Sequence, residues 1–368
     1  MAGAQYIMVG GFLGAGKTTA IARLGAHLAR RGRPVGLITN DQSSGLADTR
    51  ILEHAGFPVR EITGGCFCCR FNSLMDAAEG LTREAALEVL IAEPVGSCTD
   101  LKATVSYPLR HLYGDHFTVA PFSVMLDPMR ALPVLGVEPG RRFSPKILYV
   151  YEKQLEEADI LVINKVDALS AERLRALEGV LAERYPHAQV FAVSARTGVG
   201  LEGWFDAVLD TSDTGGSNLS IDYAEYAEGE GLLGWLNCTA RVSGNTFDGN
   251  AWLLALVQDL QAELGVMNVE IAHLKATLTS EEADGELAVV QTARSEALPE
   301  ASYRFDEPIN RGELVLNLRA EGDPRLLKCA ATDSLARQAS LSRLTLEVLH
   351  EDSFRPGRPV PTHRVVLS

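Results

Sequence analysis

The sequence predicts an α/β protein with a doubly wound, mainly parallel sheet, followed by a second, smaller C-terminal α+β domain. Across roughly the first 220 residues, short apolar runs alternate with helical patterns, which is typical of βαβ units. A polar segment rich in Gly and Ser at residues 210–222 then has the composition of a linker. Beyond it, the pattern β-α-β-β-β-α-β indicates a small domain with helices on one face of its sheet. We therefore expect domains at residues 1–215 and 224–368.

The individual elements are predicted from apolar runs that end at turn residues. In the first domain we expect strands at residues 5–10, 34–39, 58–62, 87–92, 118–126, 159–163 and 189–193. In the second domain we expect strands at 232–243, 269–279, 286–295, 312–320 and 341–350, and helices at 248–264 and 323–338. Ligands of doubly wound sheets bind at the carboxyl ends of the strands, so the residues that follow each strand carry the functional predictions.

The composition is that of a globular protein. Hydrophobic residues make up 46% of the chain and charged residues 22%, and the formal net charge is −14. Nucleic-acid binding depends on cationic side chains at phosphates, so no nucleic-acid partner is expected. We find no secretory signal and no apolar run long enough to cross a bilayer, and we therefore expect a cytoplasmic protein with no membrane partner.

The N-terminal part of the chain contains a phosphate-binding pattern. Residues 11–18 fit G-x-x-x-x-G-K-[ST], with an apolar strand before it and a helix after it. Backbone N–H groups and the helix N-terminus would then face an anion, Lys17 would reach the terminal phosphates, and Thr18 would bind Mg²⁺. The predicted nucleotide-binding residues of this P-loop are Gly11, Gly14, Ala15, Gly16, Lys17, Thr18 and Thr19. The alternative is an ordinary glycine-rich turn between a strand and a helix.

Two carboxylates follow the second and fourth predicted strands. Asn40 and Asp41 begin a polar segment at residues 40–48 that resembles a nucleotide-sensing switch. Asp41 would hold Mg²⁺ directly or through water; a turn or cap residue is the alternative. Glu93 ends a buried strand, where Mg²⁺ is held through water molecules, and Gly96 would offer its N–H to the γ-phosphate. With Lys17, these two carboxylates form the predicted catalytic set.

A guanine-selecting pattern follows the sixth predicted strand. In the run Asn164-Lys165-Val166-Asp167, the carboxylate of Asp167 would accept hydrogen bonds from both N1–H and the N2 amino group of guanine, a donor pair that adenine lacks. The stem of Lys165 would lie against the base. The next strand leads to Ser194, Ala195 and Arg196, where a backbone N–H would contact guanine O6.

Three of the six cysteines crowd into four positions, 66–69, shortly after the third predicted strand. Cys66, Cys68 and Cys69 precede a helical pattern, and a helix N-terminus lowers the pKa of nearby thiols and favours metal-binding thiolates. No second C-x-x-C pair accompanies them, so an open, exchangeable site is expected rather than a structural zinc knuckle. If the segment is extended, Cys66 and Cys68 face one ion more easily than Cys68 and Cys69.

Two alternatives apply to these thiols: buried small residues, or a redox pair. Cys98 would reach the same region, but a buried core cysteine is the simpler interpretation.

One face of the second predicted sheet is apolar and the other carries cationic residues. Leu236, Cys238, Ala240 and Val242 alternate with polar positions and predict a core. The opposite face gathers Arg241, His273, Lys275 and Arg319. Docking of the first domain or of a client protein is one interpretation of this cationic face, and ordinary solvation is the other.

Taken together, GGFLGAGKTT, GGCFCC, EPVG, NKVD and the C-terminal α+β pattern resemble the CobW-like metallochaperone GTPases, relatives of HypB and UreG. The resemblance implies that Lys17 and Thr18 bind phosphate and Mg²⁺, that Glu93 and Gly96 act as a Walker-B-like pair, that Asn164 and Asp167 select guanine, and that the three cysteines carry a metal. Family members commonly read N-E-F-G where this chain has Asn40-Asp41-Gln42-Ser43, with Asp48 matching a downstream acidic position. Scattered histidines disfavour metal storage.

The resulting functional hypothesis is a slow GTPase that uses GTP binding and hydrolysis to acquire a divalent metal, Zn²⁺ or Co²⁺, and to deliver it to a client metalloprotein. Candidate partners are that client and, in a homodimer, a second copy of the chain. One alternative is a GTP-controlled adaptor, or a metal or redox sensor of a metalloenzyme or corrinoid-dependent complex, without metal transfer. A small-molecule kinase is a weaker alternative, because a guanine selector is unusual there.

Overall fold

A computed structural model describes most of the chain. The residues it describes are 3–41, 47–210, 219–282 and 286–365. Most of the predicted switch-like segment, at residues 42–46, and much of the predicted linker, at residues 211–218, lie outside this set.

The chain forms two compact units, and neither is a single continuous stretch of sequence. The first unit comprises Met1–Ser44, Ala55–Gly229 and Arg358–Ser368. The second comprises Gly45–His54 and Glu230–Gly357. A short N-terminal segment therefore belongs to the second unit, and the C-terminal residues belong to the first.

A parallel sheet forms the centre of the first unit. Its strands, among the described residues, are β1 (Ala4–Gly11), β2 (Val35–Asn40), β3 (Val59–Ile62), β4 (Val89–Glu93), β5 (Phe117–Val119), β6 (Ser123–Leu126), β7 (Ile160–Ile163) and β8 (Gln189–Ala192). The order across the sheet is β3-β2-β4-β1-β6-β7-β8, with β5 also paired to β1, and these pairings are parallel. β1 lies between the two halves of the sheet, so the loop after it is at the topological switch point.

Helices connect these strands and complete both units. Over the described part of the chain they are α1 (Lys17–Arg30), α2 (Ala47–His54), α3 (Phe71–Ala85), α4 (Tyr107–Tyr113), α5 (Pro128–Val134), α6 (Pro145–Glu156), α7 (Ala171–Arg184), α8 (Leu201–Asp210), α9 (Tyr223–Leu232), α10 (Gly249–Val266) and α11 (Pro324–Leu341). The predicted doubly wound α/β class is confirmed.

One local prediction for the first unit was wrong, and one helix was not predicted. The single strand expected at residues 118–126 is divided into β5 and β6, because Pro121 lies between them and has no N–H to donate to a ladder. Helix α9 lies between the predicted linker and the first predicted strand of the second domain, where no helix was expected. Tyr226 and Glu230 of that helix are buried.

The second unit is an antiparallel sheet with its core on one face. Its strands among the described residues are β9 (Leu233–Phe247), β10 (Glu270–Ser280), β11 (Leu287–Thr292), β12 (Glu300–Tyr303), β13 (Ile309–Glu321) and β14 (Thr345–Phe354). Their order is β12-β11-β10-β13-β9-β14. The predicted α+β class is confirmed, and β12 was missed. The predicted core residues of β9 belong to one cluster with the apolar faces of α10 and α11.

The cationic face of this sheet is largely buried. Lys275 and Arg319 are each less than 5% exposed, so the solvation interpretation was wrong for them, whereas Arg241 is exposed and pairs with Glu281. The guanidinium of Arg319 lies 4.1 Å from the ring centroid of Trp235. Burying a cation requires a partner of this kind, since an isolated buried charge is very costly.

Helix α2 supplies the partner for Lys275, whose ammonium group pairs with the Asp48 carboxylate. The N–H of Ala47, at the start of the same helix, donates to Asn317 Oδ1 at 2.9 Å. Ile51 packs with Leu287 and Val289. An N-terminal segment of the chain thus completes the second unit by an ion pair, a helix-end hydrogen bond and apolar contacts.

Candidate functional site

The phosphate loop, residues 12–16, joins β1 to α1. Gly14 and Gly16 have φ angles of 78° and 90°, a region that residues with a side chain adopt only under strain. A Cβ atom at Gly16 would lie 2.4 Å from Nδ2 of Asn164. The loop therefore has room only for backbone here, which fits a cradle of N–H groups around phosphate.

Two predicted phosphate and magnesium residues meet a carboxylate at the start of α1. The hydroxyl of Thr18 donates to Glu93 Oε1 at 3.2 Å, and the ammonium group of Lys17 lies 3.9 Å from the same oxygen. Lys17 also donates to Gly11 O at 2.9 Å. Thr19, the next residue, is exposed. The arrangement combines one cation, one hydroxyl and one buried carboxylate beside the loop, the set of groups that suits a magnesium-bound phosphate.

Gly96 lies directly against the phosphate loop. A Cβ atom at this position would lie 2.8 Å from Leu13 Cδ2 and 3.1 Å from Leu13 N. Gln154 of α6 donates to Gly96 O at 3.0 Å and to Cys98 O at 2.8 Å. We did not predict a role for Gln154, because its position on α6 carries no motif.

The predicted guanine-selecting residues form a connected set. Asn164 donates to Ala15 O at 2.9 Å and accepts from Ala195 N at 2.9 Å, so it joins the phosphate loop to the segment after β8. Ser194 donates to Asp167 Oδ1 at 2.6 Å, and Arg196 lies 3.7 Å from the same carboxylate.

Lys165 connects this set to a residue that sequence reasoning missed. Its φ is 57°, and its ammonium group donates to Gly14 O at 2.9 Å and to Asp127 Oδ2 at 2.8 Å. Asp127 is buried, follows β6 and caps α5 through Met129 N. An aspartate before a proline at the end of an apolar run was the available signal, since it marks both a helix cap and a carboxyl end of the sheet.

Asp41 and Asn40 follow β2. Asp41 is buried, and its N–H donates to Ile62 O at 3.1 Å. The amide of Asn40 donates to Ile62 O at 3.0 Å and to Gly65 O at 2.8 Å. The residues that open the switch-like segment therefore hold the start of the cysteine-bearing loop, a connection that the sequence did not indicate.

The cysteine loop, residues 63–70, brings its three thiols together. The sulfur atoms are 2.8 Å apart for Cys66 and Cys68, 3.3 Å for Cys66 and Cys69, and 3.7 Å for Cys68 and Cys69. Zn–S bonds of about 2.3 Å in a tetrahedron place sulfurs about 3.8 Å apart, so a small expansion of the group would admit an ion. Among the described residues, the three thiols form a group whose sulfur atoms all lie within 4.8 Å of one another, close enough to share one metal ion.

The extended conformation assumed for this loop was wrong, because the loop is a turn. Cys69 N and Arg70 N both donate to Cys66 O, at 3.0 and 2.9 Å, and this turn returns Cys69 to the other two thiols. A uniform lowering of thiol pKa by the following helix is also not observed. Hydrogen bonds with Cys68, Cys69 and Cys98 lower the pKa of Cys66 well below its usual value. The hydrogen bond to Cys66 raises the pKa of Cys68 well above its usual value and that of Cys69 to about 11.

The C-terminal tail, residues 358–365, lies on the cysteine loop. Val360 N donates to Cys69 Sγ at 3.2 Å, and Thr362 N donates to Cys68 O at 2.8 Å. Arg364 donates to Asp100 Oδ2 at 2.7 Å. No motif signals these contacts, because about 290 residues separate the tail from the loop.

The fold and the two loops define a P-loop nucleotide-binding domain that carries a three-thiol cluster and is joined to an antiparallel α+β unit. A family model described as the CobW/HypB/UreG nucleotide-binding domain matches residues 5–192, which is more than half of the chain. The chain belongs to this family of P-loop GTPases.

Curated relatives match part of the chain. It is 30% identical over 174 residues to the zinc chaperone YeiR of Escherichia coli, which covers 46% of this chain and 49% of YeiR. It is 26% identical over 213 residues to the zinc chaperone CobW of Pseudomonas aeruginosa, covering 51% and 56%. The chain thus spans about half the length of these curated relatives.

Among solved structures, the zinc-bound YjiA GTPase from E. coli is 13% identical, with 90% of this chain and 99% of that chain covered and a TM-score of 0.40. Nickel-bound HypB from Helicobacter pylori is 17% identical, with 58% and 92% covered and a TM-score of 0.43. In the part of the chain that the structure describes, no helix combines the length and apolarity needed to cross a membrane.

Proposed function

We propose that this protein is a GTP-hydrolysing metallochaperone, in which GTP binding and hydrolysis control the binding and delivery of a divalent transition metal to a client protein. The observation that carries the proposal is the cluster of Cys66, Cys68 and Cys69, whose sulfurs lie within 4.8 Å of one another. This cluster is in the same unit as the phosphate loop. YeiR of E. coli and CobW of P. aeruginosa, which this chain resembles over about half of their length, are both named zinc chaperones.

The nucleotide would be held by residues that already contact one another. Lys17 and the loop N–H groups would bind the phosphates, while Thr18 and Glu93 would hold Mg²⁺, which neutralises phosphate charge when bound. Asp41 is a further candidate for that ion. Asn164 and Lys165 would order the loop, and Asp167, held by Ser194, would select guanine over adenine.

The metal would be cargo at the three thiols. Zn²⁺ suits thiolate ligands, and Co²⁺ is an alternative because affinity order alone does not decide which metal a site receives. Cys66 is the thiol whose neighbours favour its thiolate form. None of the six cysteines forms a disulfide, as in a reducing compartment such as the cytoplasm.

Two hydrogen-bonded segments would transmit the nucleotide state to the thiols. The segment after β2 holds the cysteine loop through Asn40 and Gly65. The segment after β4 runs from Glu93, which contacts Thr18 and Lys17, to Cys98. Movement of either segment on loss of the γ-phosphate would therefore move the groups around the metal.

The test is a titration of Zn²⁺ or Co²⁺ into protein saturated with Mg²⁺ and either GDP or a non-hydrolysable GTP analogue. We expect metal affinities that differ between the two states by about 5- to 150-fold, the usual range of an allosteric coupling. Reciprocal titration of the nucleotide in the presence and absence of metal must give the same factor, because the coupling free energy is shared. Equal metal affinities in both states would contradict the proposal.

A further inference from the structure

A fourth thiol, that of Cys98, contacts the cysteine cluster from a different segment. Cys98 is 1% exposed, and its side chain hydrogen-bonds the Cys66 sulfur. It does not belong to the group of three whose sulfurs all lie within 4.8 Å of one another. Cys98 therefore touches one member of the cluster without completing a four-sulfur site. A core role, which the sequence favoured, accounts for its burial but not for this contact.

The segment that carries Cys98 also carries two predicted nucleotide residues. Glu93 accepts from Thr18, and Gly96 lies against Leu13 of the phosphate loop. Only one residue separates Gly96 from Cys98. A displacement of this segment at the phosphate loop would reach the Cys98 thiol within two residues.

Local hydrogen bonds hold the backbone between Val95 and Cys98 together. Cys98 N donates to Val95 O at 3.0 Å and closes a turn. The side-chain amide of Gln154 donates to both Gly96 O and Cys98 O. The carbonyl groups on either side of Ser97 are therefore held by the same nitrogen atom, so the backbone at Gly96 and at Cys98 shares one anchor.

We propose that Cys98 is a positioning residue that couples the nucleotide state, sensed at Gly96, to the metal-binding sulfur of Cys66. The proposal rests on the proposed function and names the residue through which the coupling passes. In one nucleotide state the Cys98 S–H donates to the Cys66 sulfur and fixes its direction; in the other the segment shifts and the donor is withdrawn. Outer partners of this kind change metal affinity by about 10- to 100-fold when they are removed.

Two substitutions of Cys98 distinguish the loss of its hydrogen-bond donor from the loss of its packing. Cys98→Ala removes the donor, and Cys98→Ser keeps a donor of similar size. Cys238→Ala is the matched control, because Cys238 is equally buried but belongs to the apolar core of the second unit. Each variant is loaded with Mg²⁺ and either GDP or the GTP analogue, and Zn²⁺ affinity is measured by competition with a chromophoric chelator.

For Cys98→Ala we expect the ratio of the two Zn²⁺ affinities to fall to less than about 2-fold, with the tighter state weakened by about 10-fold. Cys98→Ser should keep at least half of the wild-type ratio on a logarithmic scale, and Cys238→Ala should keep all of it. A purely structural role would lower the Tm of Cys98→Ala and leave the ratio unchanged. That result would overturn the proposal.

The absorption of bound Co²⁺ provides a second readout, because sulfur-to-cobalt charge-transfer intensity follows the number of thiolate ligands. The intensity should be the same in Cys98→Ala as in the wild type, since three ligands remain. A loss of about one quarter would make Cys98 a ligand and overturn the positioning role. If the wild type shows no nucleotide dependence at all, the proposed function fails and this inference fails with it. A coupled wild type with an unchanged Cys98→Ala ratio removes the inference alone.

Discussion

The phosphate loop and the cysteine loop both follow strands of the same parallel sheet, but different parts of the chain hold them in place. Asn164 and Lys165, which belong to a recognisable nucleotide motif, donate to carbonyl groups of the phosphate loop. The cysteine loop is held by its own turn, by Asn40 and by a tail that begins almost 300 residues later. The phosphate loop is held by residues of a second nucleotide motif. The cysteine loop is held by residues outside any motif, which can be substituted without changing the nucleotide motifs.

The largest expected effect comes from removing thiols of the cysteine loop, which should weaken metal binding and leave nucleotide binding unchanged. We expect Cys66→Ala combined with Cys68→Ala to weaken Zn²⁺ binding by about 100-fold or more, since loss of ligands should exceed the 10- to 100-fold effect of losing an outer partner. GDP affinity measured without metal should not change, because the thiols of Cys66 and Cys68 contact each other and Cys69 on a loop separate from the phosphate loop. Isothermal titration of both ligands measures this.

The control removes the same number of thiols elsewhere, by Cys238→Ala combined with Cys329→Ala. These cysteines belong to the second unit, one buried and one exposed. Zinc binding by the Cys66→Ala, Cys68→Ala variant at the wild-type level would remove the cysteine loop from the metal site.

The complementary substitution should change nucleotide binding and leave metal binding unchanged. Asp167→Asn replaces a carboxylate oxygen by an amide donor, which cannot accept from the guanine N2 amino group. We expect GDP affinity to fall by about 10- to 100-fold, the cost of losing hydrogen bonds to a charged group. Affinity for xanthosine diphosphate should rise, because its C2 oxygen accepts from the new amide.

Fluorescence competition between the two diphosphates gives both numbers, and Zn²⁺ affinity of the nucleotide-free protein serves as the internal control. Unaltered preference for guanine would show that Asp167 does not contact the base.

Arg364→Ala tests whether the tail stabilises the cysteine loop. The carboxylate of Asp100 is fully buried, and Arg364 is its ion-pair partner, with Tyr223 donating to the same oxygen at 2.6 Å. Leaving this charge with one neutral donor should lower the free energy of unfolding by about 2 to 3 kcal/mol, somewhat less than for a pair in which both members are buried.

Chemical denaturation measures the loss, and thiol labelling at Cys69 should become faster once the tail is released. Arg358→Ala, an exposed residue of the same tail, is the control. Equal effects of the two substitutions would mean that the buried ion pair does not hold the tail.

The last prediction concerns the pH dependence of stability. Burial, with the nearby charge of Asp100, raises the pKa of Glu157 to about 8 from a usual value of 4.5. Glu157 accepts from Thr99 Oγ1 and Lys102 N, on the segment that also bears Asp100. Because the folded state keeps this proton to a higher pH than the unfolded state, the contribution of Glu157 to stability is complete below pH 4.5 and falls as pH rises to about 8.

Glu157→Gln should remove that slope, which is about 1.4 kcal/mol per pH unit between pH 5 and 8 for one proton. Urea unfolding of both proteins across this range gives the comparison. Parallel stability profiles would show that Glu157 is ionised in the folded protein at neutral pH.

The periodicity of the sequence predicted most of the first unit. Six of its strands end within two residues of the predicted positions, for example β1 at Ala4–Gly11 against 5–10. Buried parallel strands are apolar runs bounded by turns, so local composition is enough to find them. The single strand expected at residues 118–126 was wrong because Pro121 divides it, and helix α9 was not predicted.

The candidate site was predictable only where a motif encodes it. The two nucleotide motifs lie together in the structure, where Asn164 donates to Ala15 O and Thr18 donates to Glu93 Oε1. Asp127 and Gln154 were missed, because a single Asp or Gln carries no information about which distant group it will contact.

The sequence by itself determined that a phosphate-loop pattern, an N-K-x-D run and a close set of three cysteines occur in one α/β chain, because each is written in consecutive residues. Only the tertiary structure placed Cys98 on Cys66, laid the tail across the cysteine loop and paired Asp48 with Lys275. These contacts join segments far apart in the chain. Local periodicity does not predict these contacts, since the packing of strands and helices determines which residues meet.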